Sequence, residues 1–114
     1  MKRKILSLFL IFGLILTFST SIYAAKKDGV EYYIYKDGDK ISIQVMSERR
    51  FDNKDYEINI KYYDCSDDLI DSEVYEKRNT DYFKKRVRPP RGTDHETIRI
   101  IANGKIIHEA GYNF

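Results

Sequence analysis

The chain contains two histidines, His95 and His108, and each is followed by a glutamate, Glu96 and Glu109. An imidazole paired with a carboxylate can move protons, and Arg99 lies close enough in sequence to steady a phosphate; together these would equip a secreted hydrolase or nuclease. Adjacent residues on a strand point to opposite faces, however, so neither His-Glu pair can act as a local acid–base couple. His95, Arg99 and His108 become a catalytic group only if the fold joins them across strands, and solvated surface histidines are the expectation.

Asp64, Asp67, Asp68 and Asp71 have the carboxylate density of a calcium loop. They lack its glycine turn and its spaced bidentate glutamate, so a solvated turn is expected. The single cysteine, Cys65, with two histidines 13 residues apart, matches no zinc pattern. No cofactor is implied. Strand parity puts Cys65 on the outer side with Glu57, Asn59, Lys61 and Tyr63, where its thiol would react freely.

The most distinctive surface feature is basic. If Phe83 and Val87 face a core, then Tyr82, Lys84, Arg86 and Arg88 form one outward row, with Arg91 just beyond it. Such a row could hold an anionic polymer. Charge is also segregated along the chain: nine acidic residues lie between Asp52 and Glu76, and nine basic ones between Lys77 and Lys105. The expectation is therefore that Asp71 and Glu73, on the preceding strand, neutralise the row across a sheet, while its lysines guard an edge.

The elements that must position these residues read as strands. Tyr56, Ile58, Ile60 and Tyr62 alternate with Glu57, Asn59, Lys61 and Tyr63; Ile41, Ile43 and Val45 alternate with Ser42 and Gln44; Ile98, Ile100 and Ala102 alternate with Thr97 and Arg99. Period two with no helical period means half-buried strands. Turn signals separate the runs: Lys36-Asp37-Gly38-Asp39, the polar break Asp64 to Asp68, a short turn at Asn79 and Thr80, the prolines 89 and 90 with Gly92, and Asn103-Gly104, the preferred pair of a type I′ hairpin. The count is about seven strands, which most economically make an all-β, antiparallel, immunoglobulin-like sandwich, with a small closed barrel as the alternative.

The first residues carry an address. Lys2, Arg3 and Lys4 precede 21 uncharged residues from Ile5 to Ala25, closed by Ser19, Thr20, Ser21 and the small pair Ala24-Ala25. Residues 1–24 read as a cleaved export signal, with an uncleaved membrane anchor as the alternative. Removing them leaves 90 residues for one domain, with 17 Lys and Arg against 18 Asp and Glu. A near-neutral domain gives no bulk reason to expect specific nucleic acid, and a membrane enters only if the segment is retained.

The segment INIKYYDCSDDLIDS, Ile58 through Ser72, resembles the central hairpin of bacterial Ig-like modules of the FxLYD type, with Tyr63-Asp64 as the Tyr-Asp and Leu69-Ile70 as the returning aliphatics. Cys65, Ser66 and Asp67 stand where that turn usually has glycine. The resemblance implies fold only, and no functional residue is carried over. The expected function is that of an exported, non-catalytic binding or structural module of the bacterial cell envelope, secreted, periplasmic or at the cell surface, with an envelope protein or an anionic polymer as partner. A small secreted inhibitor or immunity-type protein, acting through the Arg88–His95 loop that Pro89 and Pro90 would pre-organise, is the alternative. The hydrolase built on His95, His108 and Arg99 stands third.

Overall fold

The computed structural model describes residues 22–114, so the expected export signal lies outside the described residues except for its last three, Ile22 to Ala24. Eight strands follow in order: β1 (Ile22–Lys27), β2 (Val30–Asp37), β3 (Lys40–Ser47), β4 (Lys54–Tyr63), β5 (Leu69–Thr80), β6 (Tyr82–Val87), β7 (His95–Ala102) and β8 (Lys105–Tyr112). They form two four-stranded antiparallel sheets, β1-β2-β3-β6 and β5-β4-β7-β8, open at their edges and therefore a sandwich and not a barrel. With β1 set aside, β2 to β8 read as strands A, B, C, C′, E, F and G of an immunoglobulin-like sandwich without strand D.

The alternating runs supply the core. Ile34, Ile41, Ile43 and Val45 from the first sheet meet Tyr56, Ile58, Ile60, Tyr62, Ile98 and Ile100 from the second, all at 0 or 1% exposure. Burying each aliphatic side chain contributes on the order of 1.5–3 kcal/mol, which a domain of this size needs in the absence of a disulfide. Tyrosine fits this core because its hydroxyl can reach a partner at the rim. Tyr62 donates to Glu73 Oε1 at 2.8 Å. Tyr56 lies 2.6 Å from Ser47 Oγ, and Ser47 Oγ in turn donates to the Asp52 carbonyl at 2.6 Å.

Turn chemistry matches the residues at each tip. Asn103 and Gly104 both have positive φ, 50° and 78°, as a type I′ turn requires. Asp28 and Gly29 repeat this at 52° and 79° and join β1 to β2. That Asp-Gly pair is the signal for β1, which the apolar alternation could not reveal because all six of its residues are exposed. The expected cut before Ala25 falls inside β1. At its start, the Tyr23 ring meets Tyr112 edge-on at 4.8 Å and Phe114 at 6.2 Å, joining the first described strand to the last.

One connection departs from expectation. β5 runs to Thr80 with no turn at Asn79-Thr80, and Asp81 alone leads into β6 in the other sheet. A bulge on β5, where Arg78 and Asn79 face the single residue Asp55, bends this corner, and the Asp55 carboxylate accepts the Asn79 N–H at 2.9 Å. Consecutive strands β5 and β6 therefore are not neighbours in a sheet.

Candidate functional site

The basic row exists as a geometric object. Phe83 and Val87 are buried, and Tyr82, Lys84, Arg86 and Arg88 are exposed, on the edge strand of the first sheet. Its expected neutralisers are elsewhere: Asp71 and Glu73 sit on β5 of the second sheet, in register with Tyr62 and Ile60, and Glu73 accepts the Tyr62 hydroxyl. The correction follows from the change of sheet at Asp81. The row pairs instead with the β2–β3 turn, Arg86 with Asp37 at 2.9 Å and Arg88 with Asp39 at 3.1 Å, all four side chains about half exposed or more. Among the described residues, Lys84 and Arg91 have no carboxylate within 4.0 Å.

The register extends the row into a face. Across the outer side of the first sheet, Tyr82 aligns with Met46, Glu31 and Lys26; Lys84 with Gln44, Tyr33 and Ala24; and Arg86 with Ser42, Tyr35 and Ile22. Tyr33, Tyr35, Gln44 and Met46 are half-buried and border a shallow depression of about 250 Å³. Ser42 points outward as its parity requires, yet it is fully covered, because its neighbours in register, Tyr35 and Arg86, are both long. The aromatic half of this face was not among the expected site residues, although the alternation in VEYYIY places Tyr33 and Tyr35 together.

The histidines do not meet. His95 and Arg99 lie on the outer side of the second sheet, whereas His108 pairs with Ile100 on the inner side, where the bulge at Ile107 places it. His108 Nδ1 is 3.1 Å from the Tyr32 hydroxyl and its Nε2 meets the Tyr112 hydroxyl. Burial lowers the His108 pKa below its ordinary value. His95 stacks on Tyr63 at 5.3 Å, with Asp94 at 3.0 Å and Asp67 at 2.8 Å on its two nitrogens; the hydrogen bond to Asp94 is the first cause of its raised pKa. Arg99 is clasped by Glu109 through Nε at 3.1 Å and an NH2 nitrogen at 2.7 Å, beside a groove of about 370 Å³ that Asn59, Thr97 and Gly111 also line.

Asp64 directs its carboxylate to the backbone, accepting the N–H groups of Ser66 at 2.9 Å and Asp68 at 3.0 Å, which closes the β4–β5 turn. Cys65 is exposed in that turn. β4 ends at Tyr63, so the exposure comes from the turn and not from strand parity.

The Arg88–His95 loop is closed by an internal turn and fastened near its C-terminal end. Thr93 donates to the Pro90 carbonyl from Oγ1 at 2.7 Å and from its N–H at 3.2 Å, and the Asp94 N–H reaches the Tyr63 carbonyl at 2.8 Å. With Lys36, Glu96 and Phe114 it lines an open hollow of about 440 Å³ at one end of the sandwich. No protein-family model, curated protein or solved structure matches the chain.

Proposed function

We propose that the domain is an exported, non-catalytic binding module, and that it holds an anionic polymer of the bacterial cell envelope on the outer face of its first sheet. The observation that carries this reading is Lys84: an ammonium without an ion pair among the described residues, in line with Gln44 and Tyr33 and flanked on its own strand by Tyr82 and Arg86. Cations supply attraction through counterion release, and the half-buried tyrosine rings supply flat contact area with polar tips. Arg86 and Arg88 are held at their positions by exposed pairs, each worth roughly 0.2–1 kcal/mol, which a denser anion can displace. The groove on the second sheet offers fewer cations, Lys61 and an Arg99 held through two nitrogens by Glu109, and no row of them.

The test is binding of the exported domain to labelled polyphosphate at two ionic strengths, compared with Lys84→Gln/Arg86→Gln/Arg88→Gln. Salt-sensitive binding that is lost in the triple variant supports the reading. Binding that survives the three changes, or no binding by the parent, sinks it. The fastened Arg88–His95 loop favours a second reading, a small inhibitor of a secreted enzyme. A single dominant protein partner in a cross-linking pull-down, released by Arg91→Ala, would support that reading instead.

A further inference from the structure

Glu96 has no reason of stability to be where it is. It is 4% exposed and faces inward between two buried tyrosines, Tyr62 of β4 and Tyr112 of β8. Neither hydroxyl serves it, since Tyr62 donates to Glu73 and Tyr112 meets His108. The Oε1 atom is buried without a hydrogen-bond partner. A buried acceptor left in this state costs on the order of 1–3 kcal/mol, and more when it is charged. The carboxyl lines the cavity at the end of the sandwich, and Lys36 reaches the same cavity from β2 without pairing to it among the described residues.

The surrounding groups define what would fit. Asp39 and Asp94 also line the hollow but are engaged, by Arg88 and His95; Arg91, with no carboxylate within 4.0 Å among the described residues, and Lys36 are its cations without an ion pair, beside Pro89, Pro90 and Phe114. From a buried carboxylate with one unpartnered oxygen, and from the cations and apolar groups that line the same pocket, we infer a second binding site, for a small molecule that carries an ammonium and a carboxylate, the two poles of an amino acid. The ammonium donates to Glu96 in charge-assisted hydrogen bonds, the carboxylate accepts from Arg91 and Lys36, and the apolar portion lies against Phe114 and the prolines. A cavity of about 440 Å³ is ample for an amino acid. The fastened loop holds the rim in place before binding, which reduces the ordering cost. Burial raises the Glu96 pKa, so a bound cation would favour its ionised form and bring the pKa back down.

Three matched probes separate the poles: phenylalanine, phenethylamine, which lacks the carboxylate, and 3-phenylpropionate, which lacks the ammonium. Each is titrated into isotope-labelled domain and followed by the amide signals of Gly92, Thr93 and Asp94. Phenylalanine is expected to shift these signals saturably and to bind about tenfold or more tightly than either analogue, equivalent to about 1.4 kcal/mol per pole. Glu96→Gln should abolish its advantage over 3-phenylpropionate, and Arg91→Gln, an exposed change that folding will tolerate, its advantage over phenethylamine. Absence of saturable shifts, equal binding of the three probes, or an unchanged preference in Arg91→Gln overturns the site. The two sites share only Arg88, and polyphosphate binding is read chiefly at Lys84 and Arg86, so failure here leaves the first proposal standing.

Discussion

Removing acidic side chains should strengthen the binding of an anionic polymer at one place on this domain and not at another. Asp37 and Asp39 hold Arg86 and Arg88 in pairs of 2.9 and 3.1 Å. All four side chains are between 48 and 68% exposed, so each pair is screened and contributes about 0.5 kcal/mol, the middle of the range for exposed pairs. A polymer that takes over both guanidinium groups must first displace those carboxylates. Asp37→Asn with Asp39→Asn removes a total of about 1 kcal/mol of competition, which is about a fivefold gain in affinity. The number of phosphates contacted is the same in parent and variant, so the log–log salt slope should stay unchanged. Stability should fall by about 1 kcal/mol or less. Fluorescence anisotropy with labelled polyphosphate at about 0.05 and 0.2 M salt reads both quantities. Asp68→Asn with Asp71→Asn is the control, since it changes net charge equally at exposed positions of the second sheet. Equal strengthening by both double variants would mean that bulk charge, and not the row on β6, governs binding, and the reasoning would fail.

Four further outcomes are expected. Tyr56→Phe removes one donor from a buried bond and should cost about 1 kcal/mol, whereas Ser47→Ala strands both the Tyr56 hydroxyl and the Asp52 carbonyl and should cost about 2–3; the double variant should lie about 1 kcal/mol short of additivity in urea unfolding. Because burial lowers the His108 pKa below 6.5, the unfolded chain binds a proton that the folded chain does not as pH falls past that value, so stability conferred by neutral His108 is lost on acidification. His108→Gln should therefore flatten the loss of urea midpoint between about pH 7.5 and 5.5, and an unchanged slope would refute this; His95, whose pKa is raised, works in the opposite sense and is common to both proteins. Cys65, exposed in its turn, should react with a thiol reagent without denaturant, and an inert thiol would contradict the turn geometry. Intact mass of the exported protein should begin at Ala25; a mass retaining residues 1–24 in the membrane fraction would mean an anchor.

Local pattern decided which way a side chain faces, and it did so well. The alternation of Tyr56, Ile58, Ile60 and Tyr62 predicted four residues that are all at 0 or 1% exposure, and Asn103-Gly104 predicted both positive φ angles. Which strands lie side by side is a different kind of quantity, because it depends on packing over long sequence separations. That is why Asp71 and Glu73 were expected beside the basic row and Asp37 and Asp39 were not. Glu96 was legible in part: reading the alternation of Ile98 and Ile100 back one more step puts Glu96 on the core side, but the absence of a partner appears only once Tyr62 and Tyr112 are seen to be engaged elsewhere. β1 escaped notice because an edge strand exposed on all six residues has no apolar period to detect.

In the anchored form, which retains Tyr23, its contact with Tyr112 and Phe114 has a mechanical consequence. The beginning of the first described strand and the end of the last lie at one corner, with ring centres 4.8 and 6.2 Å apart. Tension applied between the flanking residues would act on Ile22 opposite Tyr35 and on Tyr112 opposite Glu96, the terminal rungs of two edge ladders. Rungs loaded in this way open one after another, as in a zipper, and never share the load as they do when two strands are sheared lengthwise. That form would yield at low force if it were placed in line with a stretched tether.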